Sequence, residues 1–343
     1  MYSFANDYSE GACPKVLTAL IQTNNIQSDG YGVDVFCQTA ANVIKKTIQH
    51  DDVDVHFITG GTPCNVIAAS LLKAHEAIIC VETGHINVHE TGAVEATGHK
   101  IISVKGRYGK ILPEEIRKVV AAHADEHMVK PKMVFISNAT EMGTIYRKEE
   151  LTNIYNTCKE LGLYLYLDGA RLGNALIATG NDLSFKDICD LTDMLYIGGT
   201  KNGAMLGEAM VVRNEELKPD FRYLIKQHCA MLAKGRIIGV QFLSLFEDNT
   251  YLENAKNANV MAQALKYIFA QFMIPMYIDS PTNQIFPVIE NSLLEKIKAN
   301  YKIIEWGPYD ESHTICRFVC SWATKKSDVQ DFYNDLVTYV NKK

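Results

Sequence analysis

Residues 164–178 read Tyr-Leu-Tyr-Leu-Asp-Gly-Ala-Arg-Leu-Gly-Asn-Ala-Leu-Ile-Ala. Four apolar or aromatic residues end at Asp168, a glycine turn follows, and a helix-compatible run opens at Leu172. A short run without a polar face fits a strand buried on both sides, as in a parallel sheet covered by helices. Six further runs share this character: VDVHFI at 53–58, AIICV at 77–81, KIISV at 100–104, KMVFIS at 132–137, MLYIG at 194–198 and EAMVV at 208–212. Helical patterns lie between them, among them NVIAASLLKAH, PEEIRKVVAAHADEH and RKEELTNIYNTCKELG, the last stopped by Gly162. Alternating strands and helices predict an α/β fold: a mostly parallel seven-stranded sheet with flanking helices and right-handed crossovers.

The pattern changes near residue 220. One long helical stretch, FRYLIKQHCAMLAKGRIIGVQFLSLFED, is expected, then another from about Tyr251, short strands around 284–289 and 315–320, and a last helix capped by Ser327. This reads as a small α+β C-terminal domain. The expected division is an N-terminal arm at 1–12, a large domain at 13–245 and a small domain at 246–343.

The chain has 343 residues, with Lys+Arg 34 against Asp+Glu 40 and a formal net charge of −6. That balance argues against a general nucleic-acid binder. No apolar run approaches the roughly 18–20 residues of a membrane span. The first residues, MYSFANDYSEGACPK, lack a secretory pattern, so a cytoplasmic protein is expected. Nine cysteines without a C-x-x-C pair predict free core thiols rather than a disulfide framework or zinc knuckle.

Three segments carry chemistry. In Ile58-Thr59-Gly60-Gly61-Thr62-Pro63-Cys64-Asn65 a strand ends, two glycines permit a turn, Thr62 is a candidate cap and Pro63 suits a first helical position. Such a helix start attracts an anion, although a plain cap has the same signature. Asp168 stands at the carboxyl end of its strand, where parallel sheets present ligands, with Arg171 three residues on. Lys201 follows the 194–198 strand among Gly198, Gly199 and Gly203, placed like a Schiff-base lysine. An anion cradle, a carboxylate to hold a ring nitrogen protonated and an imine-forming lysine are the parts that pyridoxal phosphate needs.

On these segments the chain resembles the pyridoxal-phosphate threonine aldolases and related β-eliminating lyases of the aspartate-aminotransferase fold. The resemblance runs from about Asn6 to Trp322. It includes the Gly-Gly-Thr-x-x-Asn turn, Leu-Asp-Gly-Ala-Arg-Leu at 167–172, the Lys201 loop, and Gly84-His85-Ile86-Asn87-Val88-His89-Glu90-Thr91-Gly92-Ala93. The resemblance implies that Lys201 bonds pyridoxal phosphate, Asp168 partners the pyridine nitrogen, His85 stacks on the ring, and Gly61 and Thr62 hold the phosphate. It gives Arg171 a place near cofactor and substrate, and Arg171 and Arg317 the substrate carboxylate. His127 falls to the histidine that handles the substrate hydroxyl proton. Arg236 resembles an arginine reaching the phosphate from a neighbouring subunit, and Tyr31 a tyrosine contributed across a dimer. A homodimer or homotetramer with shared sites is therefore expected, acting on a small amino acid.

Two departures stand out. The family's Ser-Asp-Thr reads Asn6-Asp7-Tyr8, which leaves Asn6 as the candidate substrate contact, and its Asn-Thr-His reads Asn138-Ala139-Thr140-Glu141. The expected reaction is retro-aldol cleavage of a β-hydroxy-α-amino acid to glycine and an aldehyde. Three other readings stay open at this point: β-elimination or transamination on the same cofactor, a zinc hydrolase using His85 and His89, and a non-catalytic module. A third zinc ligand is not evident in the sequence.

Overall fold

In the computed structural model, which describes residues 1–341, each of the seven expected runs is a strand of one sheet. A short strand β1 (Tyr2–Ser3) precedes them. They are β2 (Asp54–Ile58), β3 (Glu76–Val81), β4 (Lys100–Val104), β5 (Lys130–Ser137), β6 (Tyr164–Asp168), β7 (Met194–Gly198) and β8 (Glu208–Val212). Their order is β2-β8-β7-β6-β5-β3-β4, parallel except that β8 runs against both of its neighbours. Strands β3, β7 and β8 are buried along their whole length, while the edge strand β4 is exposed at Lys100 and Ser103 and half-buried elsewhere, short of the burial on both faces expected of its run. One face packs on a core that includes Val134, Leu165, Leu167 and Phe242, the other on one that includes Ile67, Met133, Tyr166 and Tyr196.

The remaining strands are β9 (Gln284–Ile285), β10 (Val288–Glu290), β11 (Tyr301–Lys302), β12 (Ile304–Pro308) and β13 (His313–Val319). The helices Thr250–Gln271 and Lys326–Asn341 cover this smaller sheet. Its core centres on an aromatic cluster in which Phe332 packs against Phe4, Phe269, Tyr301 and Phe318. Strand β1 pairs with β11, and Phe4 is fully buried in this core. Residues 2–4 are thus built into the small domain, whereas the sequence reads 1–12 as an arm. The helix Thr250–Gln271 places Tyr251 in the large core and Met261 in the small one, so one helix spans both cores.

Local readings needed correction at three helix ends. The long helix expected over 221–248 is two, Phe221–Gln227 and Arg236–Phe246. Cys229 has φ 58°, and a Cβ on Gly235 would lie 2.5 Å from Gly32 N, so the chain turns where helical spacing alone would continue. The helix after β2 starts at Gly61 with Gly60 as cap, placing Thr62 and Pro63 inside its first turn. The last helix starts before Ser327, and Asp328 rather than Ser327 caps it, accepting from Lys325 N at 2.8 Å. Gly162 does stop its helix, with φ 68°. Among the described residues no helix is long and apolar enough to cross a membrane.

The exit of β6 is held tightly against β7. Gly198 N donates to Gly169 O at 3.0 Å, and a Cβ on Gly169 would sit 1.9 Å from Tyr196 O. Gly169→Ala must push the strands apart next to Asp168. An expected loss of about 2–3 kcal/mol, the overpacking range, is checked by urea unfolding of the variant against the wild type.

Candidate active site

The carboxyl ends of β5, β6 and β7 bring Ser137, Asp168 and Gly198 to one edge of the sheet. Asp168 is buried there, and its Oδ1 accepts from Tyr196 Oη at 2.5 Å and Ala170 N at 3.0 Å. Asn65 Nδ2 lies 3.5 Å from its other oxygen. The helix Gly61–Ala69 starts beside it, and its first N–H groups have no intrahelical acceptors. A Cβ on Gly61 would lie 3.0 Å from Tyr196 Oη, so the turn approaches the tyrosine as closely as a glycine allows.

Lys201 reaches the same edge from the turn after β7. Gly199 is required where a Cβ would meet Gly207 O at 2.6 Å, and Gly203 has φ +97°. Lys201 Nζ makes no hydrogen bond or ion pair among the described residues and sits 5.9 Å from the centre of the Tyr8 ring. Burial, then the Arg171 charge, push the ammonium below its ordinary range, against the pull of Asp7, Asp168 and Glu208. A lysine so placed exposes a neutral amine more readily than a surface lysine does. Glu208 opens β8 beneath it and accepts from Thr200 Oγ1 at 2.8 Å and Gly199 N at 2.7 Å. Thr59, Gly60, Gly61, Thr62, Asp168 and Lys201 line one cavity of about 350 Å³, which Glu208 and His85 also border.

Two arginines stand outside this lining, within electrostatic reach of Asp7 and Tyr8. Arg171 Nε donates to Asp7 Oδ2 at 2.7 Å and Nη2 to Oδ1 at 3.0 Å, a bidentate pair in which Asp7 is 1% exposed. Burial works against the Asp7 charge, but Arg171, Lys201 and the hydrogen bonds from Arg171 and Asn283 outweigh it and hold the carboxyl below its usual range. Arg317, on β13, lies over the Trp306 ring at 5.3 Å, and its buried Nε has no partner among the described residues. A buried guanidinium with an open donor fits an incoming carboxylate.

His85 completes the enclosure. Its Nδ1 is 2.6 Å from Glu90 Oε1, and its backbone N donates to Glu141 Oε1 at 3.1 Å. Ser137 Oγ also donates to Glu141 at 2.6 Å, but burial and the nearby Asp168 charge still raise the Glu141 carboxyl. The His85 and His89 rings are 5.5 Å apart and tilted by 56°. Among the described residues no group of three or more His, Cys, Asp or Glu side chains is placed to hold a metal ion, so the zinc pair considered from sequence has no third ligand.

The structure therefore gathers Gly61, Thr62, His85, Asp168 and Lys201 around one cavity, with Arg171 and Arg317 outside its lining. It does not bring His127 there. His127 is exposed in the loop before β5, whereas the site lies at the other end of that eight-residue strand, about 25 Å away. Asn6 is also displaced from its expected role. Its Oδ1 accepts from Tyr8 N at 3.0 Å and Ser9 Oγ at 2.9 Å, forming a turn that presents its neighbour Asp7 to Arg171. Tyr31 and Arg236 lie away from this chain's cavity. Arg236 stacks on Phe36 at 4.7 Å and hydrogen-bonds Thr23 O and Ile26 O, while Tyr31 flanks Lys226. Sequence reading missed Asp7, Asn65, Glu90, Tyr196 and Glu208 as parts of the site. Asn65 and Glu90 stood inside motifs already quoted but were given no role, and Glu208 left a signal as the one charge in its otherwise apolar strand.

These residues fit a group with a phosphate, a protonated pyridine nitrogen and a carbonyl. The glycine-lined helix start suits the phosphate, the donor-supplied carboxylate of Asp168 suits the ring nitrogen, and the buried unpartnered amine of Lys201 suits the carbonyl.

Glu208 carries a stability cost that depends on pH. Burial raises its carboxyl to about 7, although Thr200, Gly199 and Lys201 oppose the rise. The unfolded chain loses this proton near the ordinary carboxyl value and the folded chain keeps it to about 7, so stability falls as pH rises through that window. Glu208→Gln removes the titration. Relative to wild type, the variant should gain on the order of 3 kcal/mol between about pH 4.5 and pH 8, read by urea unfolding at both pH values.

Comparison with known proteins agrees with this geometry. The chain is 35% identical over 344 residues to a low specificity L-threonine aldolase of a Pseudomonas species, covering 97% of this chain and 96% of the relative. The corresponding enzyme of Pseudomonas aeruginosa is 33% identical with the same coverage. The solved structure of Leishmania major threonine aldolase superposes with a TM-score of 0.98 at 44% identity, covering 99% of this chain and 100% of that one. The match to the β-eliminating lyase family extends over residues 4–291. With this fold and this set of residues at the strand ends, the chain belongs to the β-eliminating lyase family.

Proposed function

We propose that this protein is a pyridoxal-phosphate-dependent carbon–carbon lyase that cleaves β-hydroxy-α-amino acids of the threonine type to glycine and an aldehyde. The observation that carries the reading is the convergence of Lys201, Asp168 and the Gly60-Gly61-Thr62 helix start on one cavity walled by His85. The similarity to threonine aldolases over nearly the whole chain supports the substrate class.

Pyridoxal phosphate, when bound, supplies an electron sink for the bond that breaks. The N–H groups at the start of the helix Gly61–Ala69 bind its phosphate, and Thr62 adds a hydroxyl. Asp168 holds the proton on the pyridine nitrogen, since a buried carboxylate at that position favours the cationic ring. Lys201 would provide the amine that holds the cofactor through its carbonyl carbon. Arg317 binds the substrate α-carboxylate, and Arg171, tied down by Asp7, adds charge beside it. Gripping that carboxylate turns the Cα–Cβ bond relative to the ring and so selects which bond is weakened. The β-hydroxyl must lose its proton for the aldehyde to leave, and His85 is the base within this enclosure.

We also infer that the functional unit is at least a dimer. Among the cavity-lining residues, Lys201 is the only lysine or arginine, so a phosphate there needs a further cation. Arg236 and Tyr31 are turned away from their own cavity, and apolar side chains stand out around them, Ile21 at 76% and Val35 at 59% exposure. A reducing, cytoplasmic setting accords with nine free cysteines, eight of them buried.

Lys201→Ala is expected to abolish both aldehyde release from L-threonine and the yellow absorbance of the bound cofactor. Full turnover in that variant overturns the assignment. From L-threonine, 2-oxobutanoate and ammonia in place of aldehyde and glycine would identify β-elimination. Arg317→Ala should raise KM for L-threonine by roughly 100-fold, the loss of one charge-assisted pair, with a smaller effect on kcat. Mixing and refolding inactive Lys201→Ala with inactive Arg236→Ala should restore up to about a quarter of the activity if sites are shared across a dimer.

A further inference from the structure

One carboxylate in the enclosure has no role in the chemistry described so far. The Glu90 side chain has 0% exposure, whereas His85, whose Nδ1 it faces at 2.6 Å, is one-third exposed (33%). The same oxygen, Oε1, receives Asn65 Nδ2 at 2.6 Å. Asn65 is itself oriented, because Tyr166 Oη donates to its Oδ1 at 2.8 Å and so turns its NH₂ toward the carboxylates. That NH₂ also faces Asp168 at 3.5 Å, and Asp168 takes the Tyr196 hydroxyl. A continuous chain of hydrogen bonds thus runs from the imidazole to the carboxylate at the end of β6.

The direction of each bond follows from chemistry. An amide NH₂ only donates, so Glu90 Oε1 accepts from Asn65. Glu90 Oε2 is buried with no partner among the described residues, so a proton placed on it would be an orphan donor. Oε1 is a poor seat for a proton too, since it already accepts from Asn65, so the proton between Oε1 and the ring is assigned to His85 Nδ1, which leaves Nε2 bare. A bare Nε2 takes a proton, and the resulting imidazolium is then paired with a buried negative charge. The unpaired charge of Glu90 finds its partner only at that moment, which favours the charged state of the transfer over the resting one.

We propose that Glu90, held by Asn65, is the positioning residue that fixes His85 in the tautomer able to accept the β-hydroxyl proton. This rests on the lyase reading above and sharpens it. A side chain with a proton-donating hydroxyl on Cβ is what the bare Nε2 selects, so substrates lacking that hydroxyl gain nothing from the dyad.

The test uses the full chain labelled with ¹⁵N-histidine, with and without pyridoxal phosphate, the His85 signal being identified by its loss in His85→Asn. The expected spectrum shows a protonated Nδ1 and an unprotonated Nε2 in the wild type. A proton on Nε2 instead overturns the proposal. Glu90→Gln should release the constraint, so that both tautomers appear and kcat for L-threonine falls about 100-fold or more with KM changed less than about threefold. An unchanged spectrum with kcat within twofold of wild type also overturns it. Asn65→Ala, which leaves the carboxylate but frees it to rotate, should give a smaller fall of about tenfold with the same split between kcat and KM. If the wild type releases no aldehyde, the lyase reading fails, while the ¹⁵N spectrum still decides whether Glu90 fixes the ring.

Discussion

Asp7 and Arg171 are locked together by two hydrogen bonds inside the protein, and Asn283 Nδ2 holds the same carboxylate at 2.9 Å. Each ion taken from water costs several kcal/mol, so neither partner is tolerated alone, and breaking such a pair typically costs about 3–5 kcal/mol. The three residues come from the N-terminal segment, the sheet edge after β6 and the small domain. Their contact requires all three parts to be in place at once. Arg317, which lies over Trp306, feels the charges of both Arg171 and Asp7. Asn283 also donates to Cys320 O at 2.9 Å, which ties the pair to the strand that carries Arg317.

The same constraint shapes the electrostatics around it. Four buried carboxyl groups, Asp7, Glu141, Asp168 and Glu208, lie among Lys201, Arg171 and Arg317. So many negative charges cannot all persist in a region poor in water. The structure relieves them unevenly. Asp7 keeps its charge because it has a cation on two sides, whereas burial pushes Glu141 and Glu208 toward holding protons. On the cationic side, burial lowers Lys201 and Arg317, and Arg171 adds to the effect on both. A crowded, partly neutralised pocket of this kind is where a lysine can act as an amine and a carboxylate can hold a ring proton, and each group does so because of its particular neighbours.

Much of the fold was legible because its signal is local. A strand buried on both faces must be apolar throughout, and the seven runs met that requirement to within a residue or two. Helix ends were less legible, since the turn between Gln227 and Arg236 depends on Gly235 packing against Gly32, about two hundred positions away. The role of residues 2–4 was hidden for the same reason. Phe4 looks like any arm residue until β1 pairs with a strand about three hundred positions away.

In the site, the sequence alone determined which residues stand at the carboxyl ends of strands. Asp168 and Lys201 directly follow apolar runs, and the glycines beside Lys201 and before Thr62 permit turns, so their location follows from local chemistry. Tertiary structure decided which distant groups meet them. His85 acquires its carboxylate five residues on only because a short helical turn folds Glu90 back toward Asn65, and Asp7 reaches Arg171 only through the packing of the small domain. His127 shows the converse, a histidine close to β5 in sequence but at the wrong end of it. Periodicity and strand polarity are encoded residue by residue. Pairing of buried charges depends on distances that exist only once every element has packed, because that packing excludes the water that would otherwise solvate each group separately.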